Sequence, residues 1–493
     1  MFHISDIRKY LRCPRLFWLE KNGERKERVR YIHLDEAMSI LGAKKLGIKE
    51  AFVGKAGDST ESTLEAMENQ EWIIKGRFEY QNLRVKIPFM HKNQEKWDIY
   101  FMHLSTLPKN QDIEYYTDNY WVLKNLKVSI GKIYIIYFNA AYQKNGPLDY
   151  QELLKITEDF YTPKGNPAGN IKQIIKENYH SLHSILRRMN KLKEEDIATP
   201  KRTPQCIRRN KCPHFEDCFG KEEVLPDSST LFLVSSQEKY TLYDKGLEKM
   251  EQINTENMEL TKQQYAQIMA ARNGGLFIDR MGLATWINDK IEYPLSYLDF
   301  EWDTYAIPPY DGMNPFDVVV FQYSLHILRD ELEHYDYLGM EDCREEFIRS
   351  LLENLPDSGS ILTFNGEGAE KIRLQELMKS FPQYQEQLQK VIDRIVDISI
   401  PFSMGYIYHL KMRGNYSLKQ ILPAVQDVFS YDELGINKAM DAVGAWRNLD
   451  EKTNLDEEES IKQLLEYCSM DTYALYILFE WFLQEVGEET KHA

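Results

Sequence analysis

The pentapeptide YLDFE, Tyr297 to Glu301, constrains this chain more than any other stretch. Alternate side chains of a β-strand point to opposite faces, so Asp299 and Glu301 share one face while Leu298 and Phe300 turn toward a core. Two carboxylates side by side repel each other. A divalent cation held by hard oxygen ligands relieves that cost, and magnesium or manganese suits such a set. Two solvated acids at a strand end are the plain alternative, and only further residues decide between the two readings.

At 493 residues the chain is too long for one ordinary core, which predicts two or three domains. Hydrophobic residues at 43% and aromatics at 12% supply enough apolar surface for a globular rather than a disordered protein. No uninterrupted apolar run approaches membrane-spanning length. MFHISDIRKY also carries charges where a signal peptide has its apolar segment, so the expectation is a cytoplasmic protein without a membrane partner. The net charge of −16 is unevenly spread: residues 1–220 hold 37 Lys and Arg against 28 Asp and Glu. A basic first half suits a polyanion such as nucleic acid, and the acidic remainder either hosts metal-binding carboxylates or is a solvated acidic surface.

In the first half, SDIRKYLRCPRLFWLEKN reads as an amphipathic helix broken at Cys13-Pro14, with DEAMSILGAKKLGIKEAF as a second helix. EWIIKGRFEY, LRVKIPFM and KWDIYFMHL then read as three strands, YYTDNYWVLKNLKVSI as a helix and KIYIIYFN as a further strand. Cys206, Cys212 and Cys218 stand in a C-x5-C-x5-C run, with Cys13 far upstream in CPRLFW. Together they make a four-thiol ligand set, and in a cytosolic chain metal or cluster ligation is favoured over disulfides. The spacing is wider than the C-x2-C of common zinc sites.

CPRLFW and the three later cysteines resemble the RecB-type PD-(D/E)XK nuclease domains that carry an iron–sulfur cluster, including the CRISPR-adaptation nucleases. The resemblance implies that Cys13, Cys206, Cys212 and Cys218 hold an iron–sulfur cluster of the 4Fe-4S kind, with zinc as the alternative, stapling the two ends of the domain. The nuclease residues of that family do not carry over. Ile87 stands where an acid should be, and Phe101 and His103 stand where glutamate and lysine should follow. The domain therefore reads as a degenerate, inactive nuclease fold. Its basic tracts, KNGERKERVR and the cations around Cys206, offer phosphate contacts or a solvated face.

Beyond YLDFE, SILTFNGEGAE ends a short strand and places Glu370 at the opening of a helix, with Glu367 as a competing acid. YCSMDT puts Tyr467 and Asp471 one helical turn apart on one face. Asp397, His326, Cys343 and Cys468 read as structural. In order, Asp-x-Glu, Asn-x3-Ala-Glu and Tyr-x3-Asp resemble the DEDD 3′–5′ exonucleases of the RNase H-like fold, in the subclass with tyrosine in the last motif. With LDFE, AIPPYDG, VFQYSLHIL, GNYSLKQILPAV and YCSMDTYAL, nearly the whole chain resembles a bacterial family joining a RecB-like cysteine-cluster domain to such an exonuclease-like domain. Two departures stand out: Ala369-Glu370 replaces the usual aromatic-Asp pair, and Trp302 follows Glu301.

The expected architecture is α/β. Residues 1–220 form the degenerate PD-(D/E)XK-like domain, 221–290 a connector, and 291–493 the RNase H-like DEDD domain. The resemblance implies a metal-dependent exonuclease acting on DNA or RNA with Mg2+ or Mn2+ held by Asp299, Glu301, Glu370 and Asp471, Tyr467 orienting the attacking water. The competing expectation is a weakly active or inactive nucleic-acid-binding subunit with protein partners in a repair or phage-defence complex.

Overall fold

A computed structural model describes residues 1–23, 29–34, 38–192, 197, 199–200, 203–206, 212–219, 225–256, 258–426, 434–436, 438–453 and 456–487. Residues 24–28 of the first basic tract, and Lys201, Arg202, Arg208, Arg209 and Lys211 near Cys206, lie outside the described residues. The fold is mixed α/β. The chain forms two compact units: Met1–Arg28 with Ile32–Glu222 and Tyr305–Asp317, and Val29–Tyr31 with Glu223–Thr304 and Val318–Ala493.

The first unit opens with helix α1 (Ile4–Arg12) and helix α2 (Pro14–Asn22). Cys13 between them is extended, and Pro14 starts α2 because a missing N–H costs nothing at a first helical position. A sheet follows in the order β1 (Phe52–Val53), β2 (Trp72–Tyr80), β3 (Leu83–Asn93), β4 (Lys96–Met102), β5 (Ile130–Phe138) and β6 (Leu154–Thr157), with helix α3 (Thr60–Asn69) between β1 and β2 in the chain. Gln81 and Asn82, at φ 49° and 66°, make the two-residue turn between β2 and β3, whose twist matches an antiparallel hairpin. Helix α4 (Ile113–Asn125) carries the chain from β4 across to its parallel neighbour β5. Ile87 and Phe101 are buried in the core between sheet and helix, while His103 meets the Tyr116 hydroxyl at 3.0 Å. None of the three is placed to hold a metal. Helix α5 (Phe215–Phe219) ends the part of this unit that carries the cysteines.

The second unit is built on β7 (Leu295–Tyr305) and β8 (Val318–Leu328), antiparallel neighbours, with β9 (Leu332–Leu338) antiparallel on the far side of β8. On its other edge β7 pairs in parallel with β10 (Ile361–Thr363), and β10 with β11 (Ile395–Asp397). The order is thus β9-β8-β7-β10-β11. Even-numbered Leu298 and Phe300 bury against Phe347 and Leu351 of helix α8 (Arg344–Asn354), Leu374 of helix α9 (Glu370–Ser380) and Leu388 of helix α10 (Gln385–Arg394). On the opposite side, Leu295 and Tyr297 share a core with Leu475, Leu478 and Phe479 of the last helix, α13 (Glu457–Val486).

Of the expected connector, 221–290, the described residues from 225 on fall within the second compact unit. Ala266 and Ala270 of helix α6 (Lys262–Arg272) and Leu283 and Ile287 of helix α7 (Arg280–Lys290) bury in the same core as Leu475 and Phe479. Their apolar faces require that cover. The remaining site element is helix α11 (Leu418–Val425), followed by helix α12 (Ala439–Asp450). Among the described residues no helix is long and apolar enough to cross a membrane.

Candidate functional site

The strand period alone places Asp299 and Glu301 on one face of β7, and α13 covers that face. The helix spans 30 residues, begins at Asp456, whose carboxylate accepts the Glu459 N–H, and ends at Gly487 with φ 76°. Its buried positions Leu464, Tyr467, Cys468, Asp471, Leu475 and Leu478 recur every three or four residues, so packing the apolar ones against the sheet carries Tyr467 and Asp471 inward too. The Gln322 side-chain amide, donating to the Leu464 carbonyl at 2.8 Å, ties the helix to β8.

One oxygen from each of Asp299, Glu301 and Asp471 lies within 4.8 Å of the others. Glu301 is 7% and Asp471 8% exposed and Asp299 is half-buried, so water screens Glu301 and Asp471 poorly. Burial first, and then the neighbouring carboxylates, push Asp299 and Glu301 far above the ordinary carboxyl range. The Cys468 thiol, 3.5 Å from Asp299 Oδ2, donates to that carboxylate from the helix.

Glu370 reaches the same region from the first turn of α9. It is 2% exposed, and one of its oxygens, Oε2, is buried without a hydrogen-bond partner. Burial raises it to about 8, against which its own backbone N–H and that of Phe300 work. Glu370 interacts electrostatically with Asp299 and Glu301 but is not one of the three acids that close to 4.8 Å. The loop before α9 is shaped for it: a Cβ on Gly366 would stand 1.9 Å from Thr363 Oγ1 and 3.3 Å from Glu370 Oε2. Glu367 points to solvent and pairs with Lys371. Asp397 accepts the backbone N–H groups of Asn365 and Ser399, both at 2.9 Å, which holds Asn365 at φ 62°.

Lys419, on α11, is the site residue that sequence reading missed. Its Nζ donates to the Tyr467 hydroxyl at 2.6 Å, sits 4.0 Å from the centre of the Tyr467 ring and 4.0 Å from Asp471 Oδ2. It also opposes the rise in the Glu301 carboxyl. The signal was present in NYSLKQIL as a lysine beside Gln420 in a mostly apolar helix, but nothing in the spacing said which site it would face. Behind Asp471, Thr472 meets Ser324 at 2.7 Å and His326 Nδ1 at 2.8 Å, so the imidazole fixes the helix against β8.

The acids titrate in a direction that gives a direct test. In the metal-free protein, folded Glu370 keeps a proton up to about pH 8 that the unfolded chain releases near 4.5. The folded state then binds more protons across that window, so stability falls as pH rises through it. A cation that binds the carboxylates takes the place of those protons. The melting temperature gained from saturating Mg2+ or Mn2+ is expected to grow by several degrees between about pH 5 and pH 8. Calorimetry across that range checks it, and a gain independent of pH contradicts it.

In the other unit, Cys13, Cys206, Cys212 and Cys218 line a single cavity of about 400 Å³. Arg12 donates to the Gln205 carbonyl at 2.9 Å, joining positions 193 residues apart in the chain, and Arg15 Nε reaches Cys218 Sγ at 3.2 Å. The Cys212 N–H bonds the Cys206 carbonyl at 2.9 Å and the Cys218 N–H the His214 carbonyl at 3.1 Å, so local turns aim the three later thiols. No three of the four sulfurs close to within 4.8 Å of one another among the described residues.

A model of the family described as Domain of unknown function (DUF2779) matches residues 296–417. That span holds Asp299, Glu301 and Glu370 and stops before Lys419, Tyr467 and Asp471. No curated protein and no solved structure matches the chain.

Proposed function

We propose that the second unit is a metal-dependent nuclease of the RNase H-like DEDD kind, a 3′–5′ exonuclease on DNA or RNA. The observation that carries this reading is the trio of half-buried Asp299 with buried Glu301 and Asp471, their ligand oxygens within 4.8 Å of one another. Three charges cannot stay ionised there unaided, and hard oxygen donors suit Mg2+ or Mn2+. The unpartnered Glu370 Oε2 supports a fourth ligand. The strand order, three antiparallel strands continued by two parallel ones, is that expected of an RNase H-like sheet.

The bound ions would supply charge neutralisation at the phosphate and a more acidic water. The chain's own residues hold and orient. Asp299 and Glu301 project from a strand paired on both sides, and Asp471 from a helix fixed at Gln322 and Thr472. Tyr467 presents its hydroxyl beside them. Lys419, by donating to that oxygen, leaves the phenolic O–H free to donate a hydrogen bond that orients an attacking water or a phosphate oxygen. Lys419→Met is expected to lower turnover about 10- to 100-fold with little change in the metal concentration needed, as for other groups that orient a site from behind. Steady-state kinetics under a manganese titration separates the two effects.

In the same reading the first unit is a PD-(D/E)XK-like domain without catalytic residues, closed by the four cysteines. Sulfurs bound to one zinc lie about 3.8 Å apart, as tetrahedral 2.3 Å bonds require. The four thiols around one cavity of about 400 Å³ leave room for an iron–sulfur cluster, with zinc as the alternative. Incubating end-labelled single strands of DNA and of RNA with and without manganese tests the nuclease: progressive shortening from the 3′ end supports it, and intact strands refute it. The failure of Glu370 to join the close trio keeps a second reading in view, a nucleic-acid-binding subunit of low activity in a repair or defence complex.

A further inference from the structure

Strands β2 and β3 of the first unit carry cations without ion-pair partners among the described residues, Asp58 acting on Arg77 only at a distance. Arg77 lies directly opposite Lys86 across the hairpin, an arrangement of like charges that destabilises a sheet. Arg84 lies two residues before Lys86, on the same face of β3. Lys86 and Arg8 make no side-chain hydrogen bond or ion pair among the described residues, and Arg77 Nε is buried without a partner. The Arg84 guanidinium reaches only the Asp58 carbonyl and the Met1 sulfur. Glu79 faces Arg84 across the strands and Asp118 acts on Arg8 at a distance, yet neither forms an ion pair with them among the described residues.

Arg8, Arg84 and Lys86 border one cleft of about 320 Å³. His3, Ile4 and Ser5 at the first turn of α1 line it too, and the Asp6 carboxylate of that turn accepts the His3 N–H at 2.9 Å. Tyr115 and Asn119, one turn apart on α4, complete the wall. Asn119 is 1% exposed, and its side-chain oxygen has no hydrogen-bond partner. Burial and the neighbouring Arg77 depress the Lys86 ammonium, the direction expected of a cation crowded by cations.

We infer that this cleft binds the phosphate backbone of a single nucleic-acid strand, Arg8, Arg84 and Lys86 engaging phosphates and Asn119 accepting a hydrogen bond from a base or ribose. Cations without ion-pair partners among the described residues and an orphaned acceptor are met together by a ligand that is anionic and also offers donors, as a strand does and bare phosphate does not. The inference rests on the proposal that the protein handles nucleic acid, and it assigns the gripping surface to the unit without catalytic acids.

The test is fluorescence anisotropy of the full-length protein with a fluorescein-labelled single strand, without divalent cations so that binding is read apart from hydrolysis. Arg84→Glu with Lys86→Glu is expected to weaken binding at least about tenfold. It should also flatten the slope of log affinity against log salt by about 1.4, roughly 0.7 for each of two phosphates. Arg84→Gln with Lys86→Gln, checked by circular dichroism, should show the same slope change if the charge reversal unfolds the unit. Wild-type affinity and slope in a folded double variant overturn the inference. So does inorganic phosphate displacing the strand no better than chloride at equal ionic strength. A protein that binds strands through this cleft but never shortens them with manganese would sink the nuclease reading and leave the cleft standing.

Discussion

Asp299→Ala and Asp471→Ala are each expected to reduce manganese-dependent shortening of a labelled strand by more than about 100-fold while the protein stays folded. Losing a group that only supports a metal ligand costs 10- to 100-fold, and losing a ligand itself costs more. No neighbour is placed to substitute. Glu370 approaches from another helix, and Cys468 offers a buried thiol pushed well above its ordinary range, first by burial and then by the acids around it. Relief of repulsion between the three clustered acids should moreover leave both variants as stable as the parent, or more stable, in the absence of metal. Isothermal titration with Mn2+ and a strand-degradation assay check the two halves of the expectation. Undiminished activity in either variant refutes the site.

Cys13→Ser is expected to lower the melting temperature of the first unit by roughly 10 °C and to abolish its metal content, with the second unit's transition little moved. A cross-link closing so long a loop is worth about 5 kcal/mol of unfolded-chain entropy, and a unit of this size shifts by ~2–4 °C per kcal/mol. Cys206→Ser, Cys212→Ser and Cys218→Ser should behave alike, because the four thiols surround one cavity. A brown anaerobic preparation with iron and acid-labile sulfide identifies a cluster, and a colourless zinc protein keeps the staple while removing the cluster. Four variants that melt like the parent would end the idea of a shared site.

Much of the local structure is legible in the residues. The break at Cys13-Pro14, the three strands and helix ahead of KIYIIYFN, the short SILTFN strand and the last helix from Glu457 all occur where periodicity puts them. LEHYDYL, which forms β9, was not singled out, because a half-exposed edge strand carries little apolar signal. Periodicity also misleads by omission at Asp303. It shares the alternation of Asp299 and Glu301, yet the register of β7 and β8 shifts between Glu301 and Trp302, and Arg447 of α12 clamps Asp303 with contacts of 2.6 and 2.8 Å. A third acid in the same strand thus becomes a structural ion pair.

The sequence by itself determined the pairing of Asp299 with Glu301 and of Tyr467 with Asp471, because strand and helix periods put each pair on one face whatever the fold. It also determined that Phe101 and Ile87 could not serve as nuclease ligands, since neither side chain has an atom that binds a cation. Tertiary structure alone decided that α13 lies over the acid face of β7, that Glu370 rather than Glu367 is buried there, and that Lys419 stands against Tyr467. Those contacts join segments far apart in the chain, and they are set by which apolar faces pack together rather than by any local period.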